Sequence, residues 1–151
     1  MQNIISILKY LYLKKNILYW KVHNMEDALF AEDLGLFFDI INRIYAQIPS
    51  ELHSQKESYY HSIFIAACGM ASLCLEAESP SSLGRSDAVL TTPKAIYVIE
   101  FKIDSTPELA IAQIVGKRYC ERHAGQGKPV IPVGVVFGLK ERKIVGWKAA
   151  S

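Results

Sequence analysis

Apolar and polar positions change their period several times along the chain, and each change marks an element. Residues 1–24 are apolar with interspersed lysines and keep no clean period: 4–13 fits helix or strand, and 17–22 reads as a strand. A helical spacing begins at Met25 after Asn24, a candidate N-cap followed by acids in the first turn. It carries Leu29, Phe30, Leu34, Phe37, Phe38, Ile41, Ile44 and Tyr45 until Pro49 stops it, and Gly35 inside the run leaves one helix or two open. Aromatic residues at this spacing read as core. Ser54-Gln55-Lys56-Glu57 has the S-x-x-E form of a capping box and opens a helix through Tyr60, Ile63, Phe64, Ala67 and Cys68 to about Ala71. Residues 73–78 then alternate as a first strand, ended by Ser79-Pro80-Ser81-Ser82.

Two further runs, 84–90 and 96–103, read as a hairpin around the Pro93-Lys94 pair, with proline at the φ it prefers for the first central turn position. The second run is apolar on both faces, as in a strand covered on both sides, yet carries Glu100 and Lys102 near its end. Period 2 puts both on one face. The turn also sets Asp87 opposite Glu100, and opposed side chains on one face have Cβ atoms about 4.5–5.5 Å apart. Two carboxylates that close repel unless a cation lies between them. A hard divalent ion such as Mg²⁺ or Mn²⁺, held by one or two carboxylates and several waters, resolves the conflict. Lys102 is then placed to neutralise a phosphate oxygen or hold an attacking water, the chemistry of metal-assisted phosphodiester hydrolysis.

Downstream, Ser105-Thr106-Pro107-Glu108 has the sequence of a helix start, and the helix carries Leu109, Ala112, Ile114, Val115 and Tyr119 to about His123. Lys117, Arg118 and Arg122 fall on it, as DNA-phosphate contacts or as a solvated face. After Gly125-Gln126-Gly127-Lys128-Pro129, residues 130–137 form an apolar strand whose Pro132 points to an edge or a pre-strand position, and 142–147 a weaker last strand. From Glu57 the order is helix, three strands, helix, two strands, which predicts an α/β fold: a mixed central sheet with helices packed on it.

At 151 residues the chain is one domain by length, and with half its residues hydrophobic it has material for a core. Cys68, Cys74 and Cys120 show no C-x-x-C spacing and read as reduced, buried thiols of a cytoplasmic protein. The apolar N-terminus is interrupted by Lys9, Lys14 and Lys15, short of the ~20 residues a membrane span needs, and lacks a signal-peptide cleavage pattern. Charge is uneven: residues 1–83 hold six Lys/Arg against nine Asp/Glu, and 84–151 eleven against six. The basic half is the half that carries Asp87, Glu100 and Lys102, where a polyanion would be attracted.

Gly84-Arg85-Ser86-Asp87, Glu100-Phe101-Lys102, Ala112-Gln113-Ile114 and Val133-Gly134-Val135-Val136-Phe137, in this order, resemble the PD-(D/E)XK nuclease superfamily, in a bacterial branch usually found C-terminal to an AAA-ATPase-like domain. The resemblance covers roughly residues 57–147. It implies a restriction-endonuclease-like core, order αβββαββ, over residues 53–151, with 1–52 as a mainly helical extension. It further implies a metal-dependent DNA endonuclease in which Asp87, Glu100 and the Phe101 carbonyl bind the ion and Lys102 serves the attacking water. Gln113 matches the glutamine many members carry in the helix after this strand, and Glu57 matches an extra acid of the first core helix; Glu57 serves equally as the closing residue of a capping box. The expected partners are DNA and an ATPase-like domain or protein; a homodimer is left open, and no membrane is expected. A different class of function also fits, a nuclease fold that no longer cleaves and serves as an interaction module. In a third reading Asp87 and Glu100 only pair with Arg85 and Lys102 in a structural network.

Overall fold

The computed structural model describes residues 15–81 and 83–150, and the reading of residues 4–13 lies outside them. Among the described residues four α-helices and five strands follow one another: α1 (Lys15–Phe30), α2 (Leu34–Tyr45), α3 (Glu57–Met70), β1 (Cys74–Ser81), β2 (Gly84–Thr91), β3 (Ile96–Ile103), α4 (Pro107–Gly116), β4 (Val130–Gly138) and β5 (Lys143–Ala149). The chain is α/β with a five-stranded mixed sheet, and from α3 onward the order is the expected helix, three strands, helix, two strands. It divides into two compact units, one ending at Ser72 and the other beginning at Leu73.

In the first unit α1 covers Lys15–Phe30, so the strand expected over 17–22 and the N-cap expected at Asn24 are both replaced by helix. The reason is generic: a short apolar run satisfies helix and strand alike, and here no glycine or proline separates it from the helical run that follows. Two helices form rather than one. The break falls before Gly35, at Glu32 in the left-handed region (φ 61) and at Asp33, whose Oδ1 accepts from the Leu36 N–H at 2.9 Å. Phe37, Phe38, Ile41, Ile44 and Tyr45 are buried as their spacing predicts, whereas Phe30 is left 38 % exposed. Phe37 meets Phe64 of α3 edge to face at 6.3 Å, and the Tyr45 hydroxyl donates to the Tyr60 carbonyl at 2.5 Å. The expected capping box does not close: Lys56 takes the N-cap position, and Ser54 accepts from the Lys56 N–H at 3.3 Å instead.

The second unit is the sheet, in the order β1-β2-β3-β4-β5, antiparallel except for the parallel β3–β4 pair. The β2–β3 register is the one the Pro93-Lys94 turn predicts, pairing Thr91 with Ile96 and Ala88 with Ile99. Thr92 fixes that turn: its Oγ1 accepts from the Lys94 and Ala95 N–H groups. β1 runs past its expected end through Pro80, tolerated because β1 is an edge strand. Pro132, in contrast, lies inside β4 beside Val98 of β3. Its carbonyl accepts from the Ala150 N–H, so its hydrogen-bonding side faces the end of β5, where the missing N–H costs no ladder bond with β3. β5 spans Lys143–Ala149, slightly later than expected.

α4 opens as predicted, with Thr106 capping the Leu109 N–H at 3.3 Å and Pro107 in the first turn. It stops at Gly116, well before His123. Arg118 adopts a left-handed conformation (φ 57), and the Arg118 and Tyr119 N–H groups bond back to the Val115 and Ile114 carbonyls, the pairing of a Schellman motif. Lys117, Arg118 and Arg122 therefore lie beyond the helix. Arg122 is committed to the fold, donating to Glu76 (2.8 Å), Ser79 (3.1 Å) and the Pro80 carbonyl (3.3 Å) of β1. Of the cysteines only Cys68 is fully buried; Cys74 is exposed and Cys120 half-buried. Burial raises the thiol pKa of Cys68 and Cys120.

α4 packs on the face of β3 that carries Ile96 and Val98, and Ile114 and Tyr119 join Val89, Ile96 and Val98 in one buried cluster. Each such side chain contributes ~1.5–3 kcal/mol by leaving water. The helix comes this close because of Gly134: a Cβ there would stand 2.1 Å from the Pro107 carbonyl oxygen and 3.0 Å from Ala110 Cβ. Gly134→Ala is therefore expected to destabilise the protein by about 1–3 kcal/mol. Gly69→Ala, in α3 with nothing within 4 Å, is expected to be stabilising by ~0.5–1 kcal/mol. Thermal melts of both variants check the pair, and a Gly134→Ala protein melting at or above wild type contradicts the packing described.

Candidate active site

β3 changes character along one face. Ile96 and Val98 lie in the apolar cluster under α4, and the next two residues on that face are Glu100 and Lys102. Backbone pairing between β2 and β3 runs to Ala88–Ile99, and Asp87 and Glu100 are the next residues along the two strands. There the Phe101 N–H donates to Asp87 Oδ2 at 2.8 Å, so the side chain of β2 holds the backbone of β3 at the step between Glu100 and Lys102.

Glu100 is buried, 4 % exposed, whereas Asp87 and Lys102 are half-buried. A buried carboxylate is costly unless hydrogen-bonded. Gln113 of α4 supplies the bond: its Nε2 donates to Glu100 Oε1, while its Oε1 accepts from Lys102 Nζ. One amide thus ties the acid and the base of Glu100-Phe101-Lys102 together. Gly134, which admits α4, is the β4 residue paired with Glu100, so the close approach occurs in the row of that acid. The sequence reading gave Gly134 no role; a glycine inside an apolar strand is the available signal for close backbone approach.

Asp87, Glu100, Lys102, Phe101 and Gln113 therefore come together in the second unit, linked by three hydrogen bonds. Glu57 belongs to the first unit, where it is the exposed first residue of α3. Arg85 is paired with Glu78 at 3.8 Å, and Lys102 with the Gln113 amide.

The donor set suits a hard cation. Two carboxylates and the Phe101 carbonyl are oxygen ligands of the kind Mg²⁺ and Mn²⁺ take while retaining waters. Among the described residues, no group of three or more His, Cys, Asp or Glu side chains forms a metal cage.

Among the described residues no helix is long and apolar enough to cross a membrane. The chain is 28 % identical over 132 residues to a protein of Azotobacter chroococcum mcd 1 named "Uncharacterized protein in vnfD 5'region". That match covers 83 % of this chain and 26 % of the relative, so the chain spans about a quarter of the relative's length. No solved structure gives a significant match. The family model of the PD-(D/E)XK nuclease superfamily matches residues 55–147, the stretch that runs from just before α3 into β5 and contains Asp87, Glu100, Lys102 and Gln113, and the chain belongs to that superfamily.

Proposed function

We propose that this protein is a metal-dependent nuclease that hydrolyses phosphodiester bonds of DNA, with Asp87, Glu100 and the Phe101 carbonyl as ligands of Mg²⁺ or Mn²⁺. The observation that carries the reading is the single amide of Gln113 joined at once to Glu100 and Lys102, beside an Asp87 bonded to the intervening Phe101 N–H. When bound, the ion supplies Lewis-acid polarisation of the phosphoryl group and a water of lowered pKa. Glu100, held by Gln113 Nε2, keeps one carboxylate orientation without rearrangement. Lys102, held by Gln113 Oε1, keeps its ammonium beside the acids, where it orients a water or offsets charge on the phosphate oxygens. Gln113 acts by positioning both. Glu57 is proposed as an auxiliary acid of the same reaction, on resemblance alone.

The nuclease domain is taken as residues 53–151, with 1–52 as an extension, in a cytoplasmic protein. The family resemblance also supports an ATPase-like partner region, and the short share of the relative that this chain matches is compatible with further domains there. A homodimer would suit cleavage of both strands.

Nicking of supercoiled plasmid is expected to require Mg²⁺ or Mn²⁺ and to stop in EDTA. Asp87→Ala and Lys102→Ala are expected to fall to the EDTA level. If wild type and both variants behave alike while wild type still binds DNA, the fold serves as an interaction module instead. Gln113→Ala is expected to fold and to lose about 10- to 100-fold in kcat, the usual effect of removing a residue that orients a ligand. An unchanged kcat removes Gln113 from the mechanism.

A further inference from the structure

The strand end beside Lys102 carries a turn that the reaction just described leaves unused. β4 runs parallel to β3, pairing Gly134 with Glu100 and Val136 with Lys102, and it ends at Gly138, the next residue on that face. The turn to β5 is Leu139-Lys140-Glu141-Arg142, closed by the Gly138–Lys143 pair and by the Arg142 N–H donating to the Gly138 carbonyl at 2.8 Å. Asp104 fastens it to the strand of the site: its N–H donates to the Phe137 carbonyl at 3.0 Å, and its Oδ1 accepts from the Leu139 N–H at 3.1 Å. Asp104 is two residues past Lys102, which puts the start of the turn roughly 8–10 Å from that lysine, backbone to backbone.

Residues 140–143 hold three bases and one acid. Lys140, Arg142 and Lys143 are exposed, and among the described residues none of them has an ion-pair partner. Other bases of this unit are committed to the fold: Arg122 bonds to Glu76, Arg118 to Glu121, Lys148 to Glu108 and Lys128 to the Thr92 carbonyl. The one acid lies back against the sheet, since a Cβ at Gly138 would stand 2.1 Å from Glu141 Oε2 and the glycine makes room for that carboxylate. Arg142 stands in the left-handed region (φ 58), where glycine is the easier residue, so an arginine is kept there against the backbone preference.

We propose that this turn is a second contact with the substrate, in which Lys140, Arg142 and Lys143 hold phosphates of the nucleic-acid backbone beyond the one served by Lys102. The proposal rests on the nuclease reading. Cations without ion-pair partners on a fixed backbone meet a polyanion without first breaking pairs of their own, and each phosphate they neutralise releases counterions. Contacts of this kind position the strand and carry no base information. The turn thus sets how firmly the strand lies across the end of β3, not which sequence is cut.

The test uses the full chain: wild type, Arg142→Gly, the double variant Lys140→Gln/Lys143→Gln, and Lys94→Gln as a control in the β2–β3 turn, at the opposite end of β3. A labelled DNA duplex is cleaved in Mg²⁺, and its binding is measured in Ca²⁺ over a range of salt. Arg142→Gly is expected to reduce the salt slope by about one and the double variant by about two, with KM and Kd of the latter raised about 10-fold and kcat changed less. Arg142→Gly keeps its Tm at or above wild type, because glycine suits that backbone conformation. Lys94→Gln removes the same single charge and leaves the slope unchanged. A wild type that cleaves while Arg142→Gly and the double variant keep its KM and salt slope overturns the proposal and leaves the nuclease standing. A slope reduced as much by Lys94→Gln as by Arg142→Gly also overturns it, because net charge then accounts for the effect. A wild type without metal-dependent cleavage takes down both readings.

Discussion

A primary amide is the side-chain group that can donate to a carboxylate through its nitrogen and accept from an ammonium through its oxygen without taking a charge itself. Gln113 does both at once, to Glu100 and Lys102. Everything else in the sheet unit serves to bring that amide there. α4 needs its Thr106 cap and Schellman end to have the right length, Ile114 and Tyr119 to seat it on Val98, and Gly134 to let its first turn touch the sheet. Ile114 packs in the core while its neighbour Gln113 reaches the charged end of the same β3 face, so packing and chemistry share one turn of helix.

This arrangement puts a cost inside the fold. A carboxylate that is 4 % exposed has given up most of its hydration, and its hydrogen bond with Gln113 offsets only part of that loss. A purely structural role would be served better by an apolar residue, since buried charge is weak evidence for stability. The site is the natural explanation for keeping charge there.

How much of this was legible in the sequence follows from the range of the rule involved. The β2–β3 register came from a four-residue turn and a period of two, both local, and the observed pairing follows it from Thr91–Ile96 to Ala88–Ile99. The two-residue spacing of Glu100 and Lys102 fixed their shared face in the same way. The hydrogen bonds of Gln113 and of Asp87 with the Phe101 N–H depend on how α4 and β2 meet β3, and no spacing in the chain encodes those contacts. Local rules also failed where they are degenerate. Residues 17–22 suit either period, and Ser54-Gln55-Lys56-Glu57 matches a capping box although the helix begins without one. The end of α4 was missed because Arg118 holds the left-handed position usually signalled by glycine.

The central claim is that Asp87 and Glu100 hold a divalent ion, and calorimetric titration of the full chain with Mn²⁺ tests it without relying on any substrate. The account predicts saturable binding by wild type that is lost or weakened at least about tenfold in Asp87→Asn, in the range seen when metal-site residues are altered. Equal binding by the two proteins, or none by either, would contradict it and leave the acids as part of a structural network.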